Sequence, residues 1–387
     1  MRLALLAPLP PLQNGIADYA QAWMTAVRAA GVEVVVPPQQ QGQWDTADAG
    51  FWQGIDGVHA ELGGGRGPEF LALEQLRARF PQLPLSATVH DPERLVWRSP
   101  SLPRGPGRWL AAAPRPLPQL LALSQDRRTL ARERALARRL DALVTLTRSG
   151  GQVLAERLQV GADKVHFIAH GNGVFAPQAL PDTVPLQLLY FGFLYPGKGI
   201  EDLLDALARV RRQRPDAAVR LTLAGGSAPE LAFGRRGDYV AGLRERARRL
   251  GIGDWIQWRL DLPAAQIVPC VQAHHAMLLP YRDSKKLALL GRMRGTSGAL
   301  SWANACGRGV IASDARAFAE EVSHGNGDVF AQGDSAALAE RITALLDAPA
   351  RAAEWAAGAA ALGQQRQWPR IAARFAALFA SLQEGRR

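Results

Sequence analysis

Residues 190–215 read YFGFLYPGKGIEDLLDALARVRRQRP, and this stretch places a strand, a glycine-rich loop and a helix in direct succession. The apolar run 188–191 predicts the end of a buried strand, which three glycines and a proline then interrupt. After Gly199 the apolar side chains recur every three or four residues, which indicates an amphipathic helix. Acidic residues in its first turn and arginines in its last suit the helix dipole. A strand followed by such a helix is typical of an α/β fold.

Lys198 lies where this helix begins. The first backbone N–H groups of a helix have no partners within it, and together with the positive end of the dipole they favour a phosphate. A lysine adds a formal charge at the same place. The sequence therefore predicts an anion-binding loop. An ordinary strand-to-helix turn with a solvated lysine is the alternative that the local pattern leaves open.

The composition indicates a globular protein of two domains. The chain has 387 residues, 48% of them hydrophobic, which is enough for two cores. It has no run of about 18 uncharged apolar residues, and Pro8 interrupts its apolar start too early for a signal peptide. We therefore expect a cytoplasmic protein. Cys270 and Cys306 are the only cysteines, and two isolated cysteines predict neither a disulfide nor a metal site.

The formal net charge of +11 is carried almost entirely by arginine. Basic proteins are attracted to nucleic acids, anionic lipid surfaces and phosphorylated ligands. The sequence contains no helix-turn-helix, zinc finger or basic strand with interleaved aromatic residues, so no nucleic-acid partner is expected. The predicted helix 120–140 carries six arginines and could lie on an anionic membrane surface, on the inner face of the membrane. A solvated arginine-rich face is the alternative.

The first predicted helix offers a possible ligand contact at its start. Asn14 and Gly15 let the backbone approach a ligand there, and Asp18 falls in the first turn. A capped helix of the core is the alternative.

Histidines follow two predicted strands of the first half. His90 and Asp91 come directly after strand 85–89, and His170 comes after strand 165–169. Open α/β sheets bind ligands at the carboxyl ends of their strands, so these side chains are candidates for a site. A histidine with a purely structural role is the alternative.

The second half repeats the alternation of strand and helix, with strands near 187–192, 219–224, 255–259, 276–280 and 309–312. This alternation predicts parallel sheets covered on both faces, and hence two doubly wound, Rossmann-like domains that face a cleft. We place the first domain at residues 1–180 and the second at 186–365, joined by a proline-punctuated linker.

Two loops of the second half resemble ligand-binding loops. Gly226 follows the strand LTLAGG, and Thr296 or Ser297 can cap a helix that begins near Gly298 and Ala299. The latter is a second helix N-terminus with neighbouring glycines, which suits a diphosphate.

These motifs together resemble the glycosyltransferases of the GT-B fold, in particular glycosyltransferase family 4. The likeness covers almost the whole chain, and its order and spacing are more specific than any one motif. The segments that carry it are NGIADYA at 14–20, TVHDP at 88–92, KVHFIAHGN at 164–172, FGFLYPGKGIEDLLDAL at 191–207, LAGG at 223–226, GALSWANACGRGVIASD at 298–314 and HGNGDVFAQGDSAALAERI at 324–342.

The resemblance implies transfer of a sugar from a nucleotide-activated donor, with retention at the anomeric carbon and without a metal or other cofactor. It implies a nucleotide-sugar-binding second domain and an acceptor-binding first domain, to which the terminal helix 366–387 returns. The acceptor would be a glycan, a lipid-linked sugar or another glycoconjugate of a polysaccharide pathway. No protein nucleophile is implied, since the leaving phosphate itself helps to take the proton of the acceptor.

The resemblance also implies roles for particular residues. Lys198 would neutralise the leaving diphosphate, Gly15 would approach it, and His90 would contact the donor sugar. The donor side further includes Gly226, Arg282, Thr296, Ser297, Gly298 and Ala299. The acceptor side includes Asn14, Asp18, Asp91 and His170.

The sequence departs from the family at three positions. The arginine that commonly precedes the phosphate-loop lysine by five residues is Phe193 here, and the two glutamates of the E-x7-E motif are Arg294 and Trp302. The second glutamate binds the nucleotide ribose in the family, and a tryptophan cannot accept those hydrogen bonds. We expect Arg294, with Arg282, to supply the charge that Phe193 does not. The missing glutamates favour one alternative, a non-catalytic relative that binds a nucleotide sugar or a partner.

Overall fold

The computed structural model describes residues 1–12, 14–63, 67–93, 114, 117–226, 238–283, 291–292 and 294–385. The chain divides into two compact units. The N-terminal unit comprises Met1–Gly171, Ser284–Thr296 and Trp368–Arg387, and the C-terminal unit comprises Asn172–Asp283 and Ser297–Gln367.

The N-terminal unit is built on a six-stranded parallel sheet with the order β2-β1-β5-β6-β7-β8. A two-stranded hairpin, β3-β4, lies outside it. The strands are β1 (Arg2–Leu6), β2 (Glu33–Val35), β3 (Gln39–Gln40), β4 (Gln43–Trp44), β5 (Gly57–Leu62), β6 (Leu85–Val89), β7 (Ala142–Thr145) and β8 (Val165–Phe167). The helices are α1 (Gly15–Ala29), α2 (Ala49–Gln53), α3 (Pro68–Arg79), α4 (Leu117–Arg139), α5 (Arg148–Leu158) and the terminal helix of the chain, Trp368–Glu384.

The C-terminal unit has a second six-stranded parallel sheet with the order β11-β10-β9-β12-β13-β14. Its strands are β9 (Leu186–Phe191), β10 (Val219–Gly225), β11 (Ile256–Leu260), β12 (Ala276–Leu279), β13 (Gly309–Ser313) and β14 (Gly327–Phe330). Its helices are α6 (Ile200–Gln213), α7 (Tyr239–Arg249), α8 (Ala264–Gln272), α9 (Gly298–Ala305), α10 (Phe318–Glu321), α11 (Ser335–Asp347) and α12 (Ala350–Gln365). The terminal helix of the chain is therefore α13.

Both sheets are doubly wound, as the alternation of strand and helix predicts. Central strands such as β5, β6 and β12 are buried along their whole length, because helices cover both faces of a parallel sheet. In each sheet the chain moves outward from its first strand and then returns to the other side of that strand, β1 or β9. The carboxyl ends of the strands at this reversal are the places where open sheets bind ligands.

Two of the four places where the chain passes from one unit to the other lie beside each other. Asn172 donates from its backbone N–H to the Arg366 carbonyl at 2.9 Å and forms an isolated bridge with Gln367. On the other side of the crossing, a Cβ on Gly171 would lie 2.3 Å from the Trp368 ring, so only glycine fits there. These two divisions fall at residues 171/172 and 367/368, and the other two fall at 283/284 and 296/297.

The expected linker belongs to the C-terminal unit. The Arg308 guanidinium, which is 2% exposed, donates to the carbonyls of Gln178 and Ala179 at 3.0 and 2.9 Å. It also donates to the Gln272 carbonyl at 2.6 Å. One buried side chain therefore fastens residues 178–179 to helix α8.

A buried ion pair lies next to the crossing. Arg366 and Glu321 form two hydrogen bonds of 2.6 and 3.1 Å, and their side chains are 9% and 2% exposed. The pair joins helix α10 to the end of helix α12 within the C-terminal unit.

Helix α4 contains the arginines that suggested a membrane surface. Arg132 pairs with Glu74 of α3, and Arg134 donates to the Arg157 carbonyl at 2.9 Å, so part of this charge makes contacts within the unit. Arg127 and Arg128 are exposed. Contact with a membrane stays a prediction. In the described part of the chain, no helix has both the length and the apolar character that a membrane span needs.

Candidate functional site

The loop after β9 passes close to the end of β12, because the two strands are neighbours in the sheet. Gly199 has a φ of +69°, and a Cβ at this position would lie 1.7 Å from the Pro280 carbonyl oxygen. Both the backbone conformation and the lack of space require glycine here. This close approach brings Lys198 beside Tyr281.

Lys198 is a buried lysine without a described counter-ion. Its side chain is 9% exposed, and its Nζ lies 3.7 Å from the ring centroid of Tyr281 and 5.1 Å from that of Tyr195. Among the residues that the structure describes, no carboxylate oxygen lies within 4.0 Å of Nζ. Aromatic rings stabilise the ammonium only in part.

Burial, and after it the charge of Arg316, lower the pKa of Lys198 from 10.5 to about 8. Among the described residues, the loop therefore holds an ammonium group near a second positive charge and without a carboxylate in contact with it. A bound anion would replace the missing hydration and stabilise the protonated form.

Two helix N-termini lie at this site. Helix α6 has no side-chain cap at Gly199, and the structure describes no acceptor for the Ile200 and Glu201 amides. Helix α9 is capped by Ser297, whose Oγ accepts from the Ala299 amide at 3.3 Å and lies 3.2 Å from the Tyr281 hydroxyl. Tyr281 thus connects the second helix tip to Lys198. We call Gly197–Gly199, Tyr281 and these two helix tips the Lys198 cradle.

Ser297 caps helix α9, as the sequence allowed, and this cap occupies the Ala299 amide that the resemblance assigned to the donor. The amides of Ser297 and Gly298 have no described acceptor. The neighbouring Gly226 lies under the Phe193 ring, at 3.1 Å from a Cβ built on it, so an aromatic face occupies the position where the family has an arginine.

Arg282 does not bring an uncompensated charge. Its guanidinium forms a two-fold ion pair with Asp202 in the first turn of α6, and this pair raises the pKa of Arg282. The cation therefore helps to fix the start of helix α6 next to Lys198. To contact a diphosphate as predicted, the guanidinium would have to bind phosphate oxygens and Asp202 at the same time.

Arg316 lies beside the Lys198 cradle, over the ring of Tyr281, and was not among the residues predicted from the sequence. Its Cζ lies 5.5 Å from the Tyr281 ring centroid, and its φ of +57° is unusual for an arginine. It follows β13, which pairs with β12, so its loop leaves the same edge of the sheet. Ser313 at the end of β13 donates to the Tyr281 carbonyl at 2.7 Å. The available signal was the polar run SDAR directly after a buried strand.

Trp302 is half-buried and packs against other aromatic rings at the edge of the core. Its ring stacks on Phe175 with centroids 5.6 Å apart and meets Phe191 edge-on at 6.2 Å. The position of the ribose-binding glutamate is thus filled by an aromatic stack. Any contact of Trp302 with a nucleotide would come from the ring.

In the N-terminal unit, His90 contacts a fully buried carboxylate. Its Nε2 lies 2.8 Å from Glu61 Oε2, and because an ionised carboxylate only accepts, His90 carries the proton and donates. His59 lies on the other side, with its Nε2 at 3.5 Å from Glu61 Oε1. Ser86 and Thr88 in turn contact the two nitrogens of His59 at 2.9 and 2.8 Å.

Burial raises the pKa of Glu61, but hydrogen bonds from His59 and His90 outweigh this effect and lower it overall. Glu61 therefore stays ionised and fixes the orientation of His90. The sequence contained a signal for this pair, because His59 and Glu61 alternate on strand β5, next to the strand that ends at His90. Two ionisable groups on one face of a buried strand require partners.

The other predicted residues of this unit surround Tyr19. The Tyr19 ring meets His90 and His170 at 5.0 and 4.9 Å, and the His170 Nδ1 lies 2.6 Å from the Gly171 carbonyl. Asn14 caps helix α1 by accepting from two amides at 3.1 and 2.9 Å. Gly15 has open space around it, and burial raises the pKa of Asp18.

Arg294 belongs to the N-terminal unit, where its Nε donates to Glu93 at 2.9 Å and its carbonyl accepts from Thr147 at 2.9 Å. The next residue passes over the turn after β6: a Cβ on Gly295 would lie 2.2 Å from the His90 carbonyl and 3.5 Å from Asp91. The charge of Arg294 is therefore already paired, which the sequence did not predict. Thr296, 8% exposed, is the last residue of this segment.

Within the described ranges, no group of three or more His, Cys, Asp and Glu side chains could hold a metal ion. The two cysteines are buried, and they form no disulfide with each other.

Comparisons with known proteins identify relatives of the chain. Residues 185–348 match the family model described as "Glycosyl transferases group 1". D-inositol 3-phosphate glycosyltransferase of Stackebrandtia nassauensis is 28% identical over 57% of this chain and 49% of its own length. Glycogen synthase of Mycobacterium tuberculosis is 26% identical over 80% of this chain and 66% of its own length. The chain thus spans about half the length of the inositol phosphate glycosyltransferase.

Solved structures share the fold along the whole chain. Sucrose-phosphate synthase from Thermosynechococcus elongatus has a TM-score of 0.72 and 20% identity, with 100% of both chains covered. Anabaena HepE in complex with UDP-glucose has a TM-score of 0.66 and 18% identity, with 98% of this chain and 100% of that chain covered. These matches confirm the predicted GT-B fold.

Proposed function

We propose that this chain, whose residues 185–348 match the group 1 glycosyltransferase family model and whose fold is GT-B, is a glycosyltransferase that transfers a sugar from a nucleoside diphosphate sugar to an acceptor. The observation that carries the proposal is the Lys198 cradle. A buried ammonium without a described carboxylate lies beside two helix tips whose Ile200, Glu201 and Gly298 amides have no described acceptor, and this arrangement suits a diphosphate.

The cradle would act on the leaving group. Departure of a nucleoside diphosphate develops negative charge on its oxygens, and a fixed ammonium with aimed N–H groups stabilises that charge. Lys198 and Arg316 supply the positive charge, and the amides of Ile200, Glu201 and Gly298 supply donors. Because this charge comes from the protein, we propose transfer that needs no metal, and activity that survives removal of divalent cations by a chelator would support it.

The acceptor and the stereochemistry are further parts of the proposal. We propose retention at the anomeric carbon and a glycan, lipid-linked or other glycoconjugate acceptor taken by the N-terminal unit, in the cytoplasm. The resemblance supports these roles, and Anabaena HepE, a fold relative, was solved with UDP and glucose. The acceptor-side residues are Asn14, Asp18, Asp91 and His170, of which Asn14 also caps its helix.

A panel of nucleoside diphosphate sugars tests the function. The protein, incubated with each donor and without an acceptor, should release the nucleoside diphosphate slowly by hydrolysis of at least one donor, and the configuration of the freed sugar reports retention. A donor that binds but is never cleaved, with or without acceptors, would instead favour the alternative of a non-catalytic nucleotide-sugar-binding protein.

The affinity for UDP, or for whichever nucleoside diphosphate the panel selects, should depend on pH through Lys198. Bound diphosphate stabilises the ammonium, so the pKa of Lys198 rises from about 8 on binding and the complex takes up a proton. The nucleotide should bind about tenfold more weakly at pH 9 than at pH 7, because only roughly a tenth of the free sites is protonated at pH 9. Isothermal titration calorimetry in buffers of different ionisation enthalpy measures both effects. An affinity that is independent of pH would contradict this role of the lysine.

Glu61 should position His90 for the reaction. In Glu61→Gln only the amide oxygen can accept a hydrogen bond, so only one of the two histidines keeps an acceptor. The substitution also removes the negative charge that orients the His90 imidazole. We expect kcat to fall on the order of tenfold, as for other partners that orient a functional imidazole, with little change in the KM for the donor. Glu69→Gln is the matched control, since Glu69 is an equally buried carboxylate on helix α3. Equal loss of kcat in both variants would assign Glu61 a structural role only.

A further inference from the structure

A groove of about 530 Å³ lies in the N-terminal unit, and none of the residues assigned to transfer lines it. It is formed by the edge strand β8, the start of helix α5 and helix α13. The residues that line it are Arg148, Val165, His166, Phe167, Ile168, Arg374, Ala377, Leu378 and Ser381. Two of them are arginines and none is acidic.

The two arginines converge on one aromatic ring. The Cζ of Arg148 lies 4.6 Å from the ring centroid of Phe167, and the Cζ of Arg374 lies 5.9 Å from it. Arg374 is held in place because its Nη2 donates to the Phe167 carbonyl at 2.6 Å. A guanidinium has five N–H donors, so this single hydrogen bond leaves most of them available to a ligand.

The positive charge is concentrated at an unfavourable place. Arg148 is the first residue of helix α5, where the dipole favours anions, and no acidic residue lies in the first turn. Burial lowers the pKa of Arg374, and the nearby charge of Arg148 lowers it further, as expected when two like charges lie close together and repel each other. An anion between them would remove this repulsion and complement the helix end as well.

We infer that this groove binds a phosphate group. Two planar guanidinium groups match the geometry of phosphate oxygens, and the helix N-terminus adds to the attraction. The ring of Phe167 and the side chain of Leu378 give the groove an apolar wall, which suits a phosphate attached to an apolar or sugar group. The site consists of residues of the N-terminal unit only, whereas the Lys198 cradle consists of residues of the C-terminal unit.

The phosphate could belong to a soluble phosphomonoester or to the headgroup of a lipid, and the chemistry at the arginines is the same. Calorimetric titration of the full chain with inorganic phosphate examines the first source, in a Lys198→Met background that removes the cradle's contribution. Sedimentation with phosphatidylcholine vesicles, with and without phosphatidic acid, examines the second.

The test variant combines Arg148→Gln with Arg374→Gln, and the control combines Arg2→Gln with Arg79→Gln, two arginines that lie outside both the groove and helix α4. Both change the charge by the same amount at exposed positions of the same unit, so both should keep the unfolding temperature. We expect the groove variant to bind phosphate, phosphatidic acid vesicles or both at least tenfold more weakly, and the control to bind as the parent does. Loss with phosphate assigns a soluble ligand, and loss with vesicles alone assigns a headgroup.

The inference is overturned if the groove variant binds both probes as tightly as the parent does. It is also overturned if the control variant loses as much affinity as the groove variant. Arg374→Lys gives a second readout. It keeps the charge but removes the planar fork, so an intermediate affinity supports a shaped phosphate site. Affinity equal to the parent's would show attraction by charge alone and would contradict it.

Discussion

Replacement of Lys198 by methionine should remove most of the transfer activity and at the same time stabilise the protein without ligand. Methionine has nearly the length of lysine and fills the space against Tyr195 and Tyr281, but it carries no charge. Loss of a cation that stabilises the leaving diphosphate should lower kcat by about 10²–10³-fold. Steady-state kinetics with the donor found in the panel measures this loss.

The stabilisation follows from the pKa of Lys198. The unfolded chain holds this proton up to pH 10.5, but the fold releases it at about pH 8, so the unfolded state binds more protons between these values. The ammonium therefore destabilises the fold by about 3 kcal/mol below pH 8, and this effect disappears as the pH approaches 10.5. Lys198→Met should raise the free energy of unfolding at pH 7 by up to about 3 kcal/mol and leave it unchanged near pH 10.5.

Urea denaturation of the parent and of Lys198→Met at pH 7 and at pH 10 checks this expectation. Lys164→Met is the matched control, since Lys164 lies at the surface with its Nζ 2.9 Å from the Arg138 carbonyl. The control should leave kcat intact and should not stabilise the protein. A Lys198→Met protein that is less stable than the parent at pH 7 would mean that the ammonium has a counter-ion in the fold.

Removal of the Glu321 carboxylate should destabilise the C-terminal unit strongly. In Glu321→Ala the Arg366 guanidinium, with its side chain 9% exposed, loses both short hydrogen bonds and keeps its charge in the interior. Breaking one partner of a buried pair typically costs about 3–5 kcal/mol. The Arg366 carbonyl also accepts a hydrogen bond from the Asn172 amide. This amide, at the crossing between the units, should therefore become less protected from hydrogen exchange.

Chemical denaturation measures the free energy, and hydrogen exchange measures the Asn172 amide. Asp347→Ala provides the control, because Asp347 and Arg214 form an ion pair of 2.8 Å in the same unit with both side chains about half exposed. The control should cost less than about 1 kcal/mol, as is usual for exposed pairs. Equal costs at the two sites would contradict the importance of burial at Arg366.

Most elements could be predicted from local pattern, because strand and helix periodicities are properties of neighbouring residues. The strand before Gly192 and the helix after Gly199 lie where the sequence places them. The expected domain division at 180 and 186 differs from the observed division at 171/172. Hydrogen bonds from Arg308 hold residues 178–179 in the C-terminal unit. No proline pattern contains that information.

The site could be predicted only in part, because its partners are distant in sequence. Arg282 and Asp202 are separated by 80 positions, and Arg294 and Glu93 by 201. A sequence shows that these side chains are charged and near strand ends, but it does not show that their charges are paired. The pairings change what the residues can do: Arg294 is held by Glu93, while Lys198 has no described carboxylate within reach.

The sequence by itself determined the α/β class, the doubly wound order and the helix mouth with its lysine, since hydrophobic periodicity and glycine positions act over a few residues. Only the tertiary structure decided which cations are neutralised, that Glu61 holds His90, and that Arg316 joins Lys198 at Tyr281. Those contacts arise where parallel strands bring their carboxyl ends to one edge of a sheet, and strand order is set by packing between distant segments.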